Sequence, residues 1–218
     1  MSDVLLLGAT GLTGSLALPR LLGRATVHAA GRRAPALAHA SLRAIVAPLD
    51  DDAALERGLD GVGLGAYVSC LGTTIRVAGS REAFVAVDRT LVVRTARVAR
   101  AHGARQAIVV SSVGADARSR NFYLSVKGAM EDDVAALGFE RVDFLRPGLL
   151  LGERAGRRVA EHLFQKLAPV YNPLLAGALG RYRAIPADAV AAAIAALLGR
   201  RERGVFIHEN AAIEALKA

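Results

Sequence analysis

Tyr123 and Lys127 stand four positions apart in the stretch NFYLSVKGAMED, residues 121–132. If the stretch is helical, positions i and i+4 share a face, so the phenol and the ammonium point the same way. A free phenol titrates at about 10, too high for good acid–base work near neutrality, and a nearby ammonium favours the phenolate. The pair therefore has the makings of an acid/base group and its activator. The same spacing arises wherever a tyrosine packs on a surface helix beside a lysine, so the chemistry needs support from elsewhere in the chain.

That support begins at the other end. The apolar run DVLLL leads straight into GATGLTG, with Gly8, Gly11 and Gly14 spaced three apart. Strand, glycine-rich turn and helix in succession is the context in which such glycines cradle a pyrophosphate. Gly8 permits the tight turn, Gly11 the close approach of backbone N–H groups, and Gly14 the packing of helix on strand. Thr10, Leu12 and Thr13 belong to the same cofactor-binding loop. At the end of the second apolar run, AAGRR places Arg32 and Arg33 where an NAD-specific site carries an acid for the ribose 2′-hydroxyl. Guanidinium groups pair with a 2′-phosphate instead, so the expected cofactor is NADP(H) rather than NAD(H).

The elements that must position these residues repeat one theme, a short apolar run, a turn and a longer helical stretch. Strands are predicted at DVLLLGA, TVHAAGR, LRAIVA, GAYVSCLG, RQAIVVSS and ERVDFLRPG, with GVFIH as a last strand. Helices are predicted over about residues 12–22, in DDAALERGL, from Ser80 to His102 and from about Arg120 to Leu137. Gly103 and Gly138 stop the last two. This alternation predicts an α/β fold, a Rossmann-like doubly wound parallel sheet with helices on both faces. After Pro147 the rhythm breaks. GLLLGERAGRR reads as a loop or hairpin, residues 159–167 as a helix, and Asp188 as the cap of an Ala-rich helix. Residues 1–218 are expected to form a single NAD(P)-binding domain, with residues 1–150 as the cofactor-binding core. Residues 151–218 would be a small C-terminal part acting as the substrate lid.

GATGLTG, SCLGTT (69–74), VDRTLV (87–92), VVSSVGAD (109–116), YLSVKG and FLRPGLLLGER run in order from residue 4 to about 154. In these motifs the chain resembles the short-chain dehydrogenase/reductase superfamily, and most its atypical branch of NAD(P)H-binding Tat-interacting-protein-like oxidoreductases. The resemblance implies a Ser-Tyr-Lys triad of Ser112, Tyr123 and Lys127, with Ser111 as the alternative serine. Tyr123 would exchange the proton with the substrate oxygen, the serine would set that oxygen's position, and Lys127 would also hold the nicotinamide ribose. Cys70, Leu71 and Gly72 should run along the cofactor, with Thr73 and Thr74 nearby, and Pro147, Gly148 and Leu149 should pass close to the carboxamide. Relatives carry Asp-Leu at the end of the third strand. Here Pro48-Leu49 stands there, which leaves Leu49, and no carboxylate, for the adenine.

Composition excludes other classes. The net charge is +8, but the basic residues are scattered, nearly all arginine, and never run beyond two. No aromatic residues alternate with them, so no nucleic-acid partner is expected. The longest apolar stretch, 189–198, is too short to span a bilayer, and no membrane partner is expected. One cysteine, Cys70, rules out an internal disulfide and fits a reducing compartment, and the chain has no secretory signal, so a cytoplasmic protein is expected. The five histidines show no ligand spacing, and no metal is assigned. The function expected is an NADP(H)-dependent oxidoreductase acting on a small carbonyl or alcohol. The alternative is a protein that binds NADP(H) and reports redox state without significant turnover. The helices at about 81–102 and 120–137 make a homodimer possible.

Overall fold

The computed structural model describes residues 3–152 and 181–216. The first five strands are β1 (Asp3–Leu7), β2 (Val27–Gly31), β3 (Leu42–Val46), β4 (Leu64–Ser69) and β5 (Gln106–Val110), with helices between all but β2 and β3. They are followed by β6 (Arg141–Arg146), β7 (Leu150–Leu151), β8 (Ile185–Pro186) and β9 (Gly204–Glu209). Seven strands form one parallel sheet in the order β3-β2-β1-β4-β5-β6-β9. β1 pairs with both β2 and β4, so the chain winds outward in both directions from it. The crevice at the carboxyl ends of β1 and β4 is where such sheets bind ligands.

Alternation along each strand feeds two cores. Val4 and Leu6 of β1, with Val68 and Ile108, pack under helix α1 (Leu12–Leu22). Leu5, Leu7, Tyr67, Val109 and Phe144 fill the opposite face. The helices there include α2 (Asp52–Gly58), preceded along the chain by β3 and followed after β4 by the short α3 (Ile75–Ala78) and α4 (Arg81–Val85). Strands covered on both faces carry apolar side chains at nearly every position, which is why DVLLL and QAIVV read as unbroken apolar runs.

The long helix expected from Ser80 to His102 is real but not uniform. Ser80 Oγ accepts from the Ala83 N–H (3.1 Å) and caps α4. Residues Ala86–Leu91 then form a π-helical turn before α5 (Val92–Ala101). α6 (Phe122–Ala135) starts at Asn121, whose Oδ1 accepts from the Leu124 N–H at 3.2 Å. Near the C-terminus lie α7 (Ala187–Leu197), which shares the first core, and α8 (Asn210–Ala215).

Three expectations are corrected or set aside. Of GLLLGERAGRR, read as a loop or hairpin, only residues 148–152 are described, and there Leu150–Leu151 pairs in parallel with Ile185–Pro186, far along the chain. Asp188 does not cap α7, because Pro186 holds that place. Asp188 sits in the first turn and pairs with Arg20 of α1 at 2.8 Å. The helix expected at 159–167, with residues 153–180 of the expected lid, lies outside the described residues.

Candidate active site

Local backbone geometry builds the site's first wall. Gly8 has φ +77°, and a Cβ there would stand 2.7 Å from the carbonyl carbon and oxygen of Cys70. Only glycine adopts this conformation freely and leaves room for the neighbouring strand end. At Gly14 a Cβ would drive into the carbonyl oxygen of Gly8, so the helix packs on the turn only without a side chain. Gly11 occupies the N-cap of α1 with no side-chain hydrogen bond. The first-turn N–H groups therefore lack a side-chain acceptor, and they carry the positive end of the helix dipole. This arrangement fits a pyrophosphate.

A cavity of about 1170 Å³ opens over this turn, at the carboxyl ends of the strands. Thr10, Gly11, Leu12 and Thr13 line it on one side, and Cys70, Leu71 and Gly72 follow from the end of β4. Ser111, Ser112, Tyr123 and Lys127 line it as well, as do Pro147, Gly148 and Leu149. Residues from five separate stretches of sequence are thus brought to one space. Gly8 and Gly14 shape the turn from behind and do not line the cavity. Two other expected contacts are missing from its walls. Leu49 packs beside the core under α2 and α5, and Arg32 is exposed beyond the rim, leaving Arg33 as the arginine of the pair that lines it. A second cavity of about 470 Å³ lies at the opposite edge of the sheet, against Val4, Arg24 and Gln106, and holds none of the candidate residues.

α6 presents Tyr123 and Lys127 on one face, as their spacing requires. The Tyr123 ring leans on the fully buried ring of Phe84, with centroids 5.5 Å apart. This contact restricts where the phenol can point. Lys127 is only 3% exposed, and its Nζ stands 2.8 Å from Oδ1 of Asp88, a carboxylate with no exposure at all. The other oxygen of Asp88 accepts from the Thr73 N–H at 2.8 Å. Asp88 lines the cavity but was missed by sequence reasoning, although it falls inside the VDRTLV motif. Helical periodicity could not place it, because the π-helical turn shifts the register at Ala86–Leu91.

The two serines differ. Ser111 is buried, and its hydroxyl has no hydrogen-bond partner among the described residues. Ser112 is half-buried and donates to the carbonyl of Val113 over a long 3.4 Å. Both residues line the cavity. Burial pushes the Cys70 thiol up to about 12, which leaves almost no thiolate at neutral pH and fits a packed strand residue. Asn210, on α8, was also missed. Its Oδ1 accepts from the Gly148 N–H at 2.9 Å and its Nδ2 donates to the Arg183 carbonyl at 2.7 Å, fixing the loop after β6. No group of three or more His, Cys, Asp or Glu among the described residues is placed to hold a metal, and no helix there is long and apolar enough to cross a membrane.

The sheet order, the glycine turn and the cavity define an NAD(P)H-binding Rossmann protein. Residues 8–201 match the family model described as NAD(P)H-binding. The mitochondrial protein fmp52 of Aspergillus fumigatus is 36% identical over 184 residues, covering 81% of this chain and 79% of the relative. HTATIP2 of Rattus norvegicus is 38% identical over 173 residues, covering 75% and 69%. The chain belongs to the NAD(P)H-binding, Tat-interacting-protein-like (HTATIP2/FMP52) oxidoreductase family. Among solved structures, MoeE5 in complex with UDP-glucuronic acid and NAD matches with a TM-score of 0.72 at 20% identity, covering 94% of this chain and 75% of that one. WbmH of Bordetella bronchiseptica in complex with NAD⁺ matches with a TM-score of 0.69 at 14% identity, covering 96% and 76%. At such identities these two share the fold.

Two expectations are overturned here. Five of the similar solved structures hold NAD, which corrects the expectation of NADP(H). The physical reason lies in Arg32 and Arg33: both are exposed, and only one reaches the cavity wall, so an arginine pair in sequence is not a formed phosphate clamp. The expectation of a cytoplasmic protein is corrected too, since the FMP52 relatives are named as mitochondrial. A single cysteine and the lack of a membrane-spanning stretch do not distinguish one reducing compartment from another.

Proposed function

We propose that the protein is an NAD(H)-dependent oxidoreductase that interconverts a small carbonyl compound and its alcohol. The observation that carries this reading is the meeting of the glycine turn with Ser111, Ser112, Tyr123 and Lys127 around one cavity. NAD(H), when bound, supplies or accepts the hydride. The residues of the chain do the rest. The first turn of α1 offers N–H groups to the pyrophosphate, and Lys127 offers its ammonium to the ribose hydroxyls. Tyr123 gives its hydroxyl proton to the carbonyl oxygen as that carbon is reduced, and takes it back in the other direction. Ser112 or Ser111 donates a hydrogen bond to the same oxygen and sets its place.

Exposed apolar side chains at the rim, Leu149 and Tyr182, favour a largely apolar substrate over a highly charged one. The similar solved structures include proteins bound to UDP-sugars. This chain spans about three quarters of their length. The experiment is a screen of carbonyl compounds against NADH oxidation, with Tyr123→Phe as the control. A substrate turned over by wild type and lost in the variant supports the reading. Tight NADH binding with no turnover across aldehydes, ketones and quinones would instead favour a protein that senses the cofactor.

A further inference from the structure

Tyr182 stands at this cavity with no part in the proposed proton and hydride chemistry. Its side chain lines the cavity and is 41% exposed. A single exposed aromatic ring is ordinary on a protein surface. What sets this one apart is how firmly its segment is fastened. Ile185, in the parallel pair of β7 and β8, donates its N–H to the Leu149 carbonyl at 2.9 Å. Asn210 donates to the Arg183 carbonyl at 2.7 Å, and Gly148 packs so closely on that carbonyl that a side chain there would overlap it. The backbone that follows Tyr182 is therefore locked to the loop after β6.

The two faces of the ring are not equivalent. Arg181 lays its guanidinium over one, 5.0 Å from the centroid, and stands 4.0 Å from the Glu209 carboxylate. Arg181 does not line the cavity, so the face it covers is turned away from the ligand space and the opposite face is presented there. The hydroxyl marks which end of the cavity the ring occupies. A Cβ on Gly114 would stand 3.9 Å from that hydroxyl and 3.5 Å from Cδ1 of Leu124. Gly114 lies just beyond Ser111 and Ser112, and Leu124 is next to Tyr123. The ring thus stands at the end where the substrate oxygen is proposed to sit.

A rigid aromatic face gives its best contact to another flat π-system. In an aryl aldehyde or aryl ketone the carbonyl is conjugated and coplanar with the ring. Stacking the ring therefore also fixes the face of the carbonyl that hydride must approach. An aliphatic ketone, free to rotate about its C–C bonds, gains neither.

We propose that Tyr182 is a specificity-determining residue and that the substrate is an aryl aldehyde or aryl ketone stacked on its ring. This rests on the reading of the cavity as a carbonyl oxidoreductase site. The test compares acetophenone with cyclohexyl methyl ketone, which has the same carbon skeleton without the flat ring. Kd values are taken from ligand-observed NMR titrations with and without NAD⁺, which cannot reduce a ketone. Wild type should bind acetophenone roughly 3–10-fold more tightly, the worth of one aromatic contact beyond its buried area. Tyr182→Leu, which keeps apolar bulk, should abolish the preference, and Tyr182→Phe should retain it. If Tyr182→Leu does not fold, Tyr182→Met takes its place. An equal preference in wild type and the ring-less variant, no preference in wild type, or no binding of either ketone would overturn the proposal. So would loss of the preference in Tyr182→Phe. Failure to bind NAD⁺, or to turn over any carbonyl with NADH, would count against the oxidoreductase reading, while the ketone ratio still tests Tyr182.

Discussion

Two carboxylates with no solvent exposure, Asp88 and Asp143, face cationic side chains at almost the same distance, and they do different things. Asp143, on β6, is saturated. Arg141 reaches it with two N–H groups at 2.7 Å, His208 approaches at 2.9 Å and Gln106 donates at 2.9 Å. The cluster stitches β5, β6 and β9 together and lines no part of the site cavity. Asp88 has one hydrogen bond and one unaligned charge contact, and it lies on the cavity wall. A buried pair whose every valence is spent inside the protein holds the fold. One that leaves donors unspent beside a cavity is poised for a ligand.

Substitutions should separate the two regions. The largest expected effect is at the site. Tyr123→Phe removes only the hydroxyl and should reduce turnover of an accepted substrate by about 10²–10⁴-fold, leaving NADH binding and thermal stability nearly unchanged. Steady-state kinetics beside a NADH titration would check this. Next comes the structural cluster. Asp143→Ala leaves the buried Arg141 with only the exposed Glu202 carboxylate, 3.6 Å away, and should cost about 3–5 kcal/mol of stability by denaturant unfolding. The folded fraction should still bind NADH as wild type does.

The pH response of the same cluster should be smaller and has a definite sign. Burial pushes the Asp143 carboxyl up, but hydrogen bonds from His208, Arg141 and Gln106 outweigh it and hold the group below the usual carboxylate value. A carboxyl depressed in the folded state adds stability above its unfolded value, and that contribution is lost as the pH falls. Stability should therefore decline below about pH 4, and the decline should be shallower in Asp143→Asn, as unfolding curves across that range would show. The smallest effect belongs to the surface. Arg20→Ala breaks a half-exposed pair with Asp188 and should cost no more than about 1 kcal/mol.

The same contrast explains how much could be read from sequence. The centre of the sheet was legible because β1, β2, β4, β5 and β6 are buried and so appear as largely apolar runs. The starts of the long helices were legible because Ser80 and Asn121 are side-chain caps. The placement of the glycine turn, Tyr123 and Lys127 at one cavity was legible because it follows from local spacing. Asp88 was not, since the π-helical turn breaks the period by which a side chain's direction is inferred. The pairing of Leu150–Leu151 with Ile185–Pro186 and the hold of Asn210 on Gly148 join distant stretches and leave no local mark. The arginine pair at 32–33 misled for the opposite reason. Its residue types suit a phosphate, but their exposure on the rim shows that type and position in the chain do not by themselves make a clamp.

The central claim is that the cavity over the Gly8–Gly14 turn holds NAD(H), with Lys127 in contact with it. The most direct measurement is a titration of wild type and Lys127→Met with NADH, following nicotinamide fluorescence. Saturable binding of one NADH per chain, weakened in Lys127→Met without loss of fold, is the expected result. No saturable binding by wild type, or equal affinity in the two proteins, would contradict the claim.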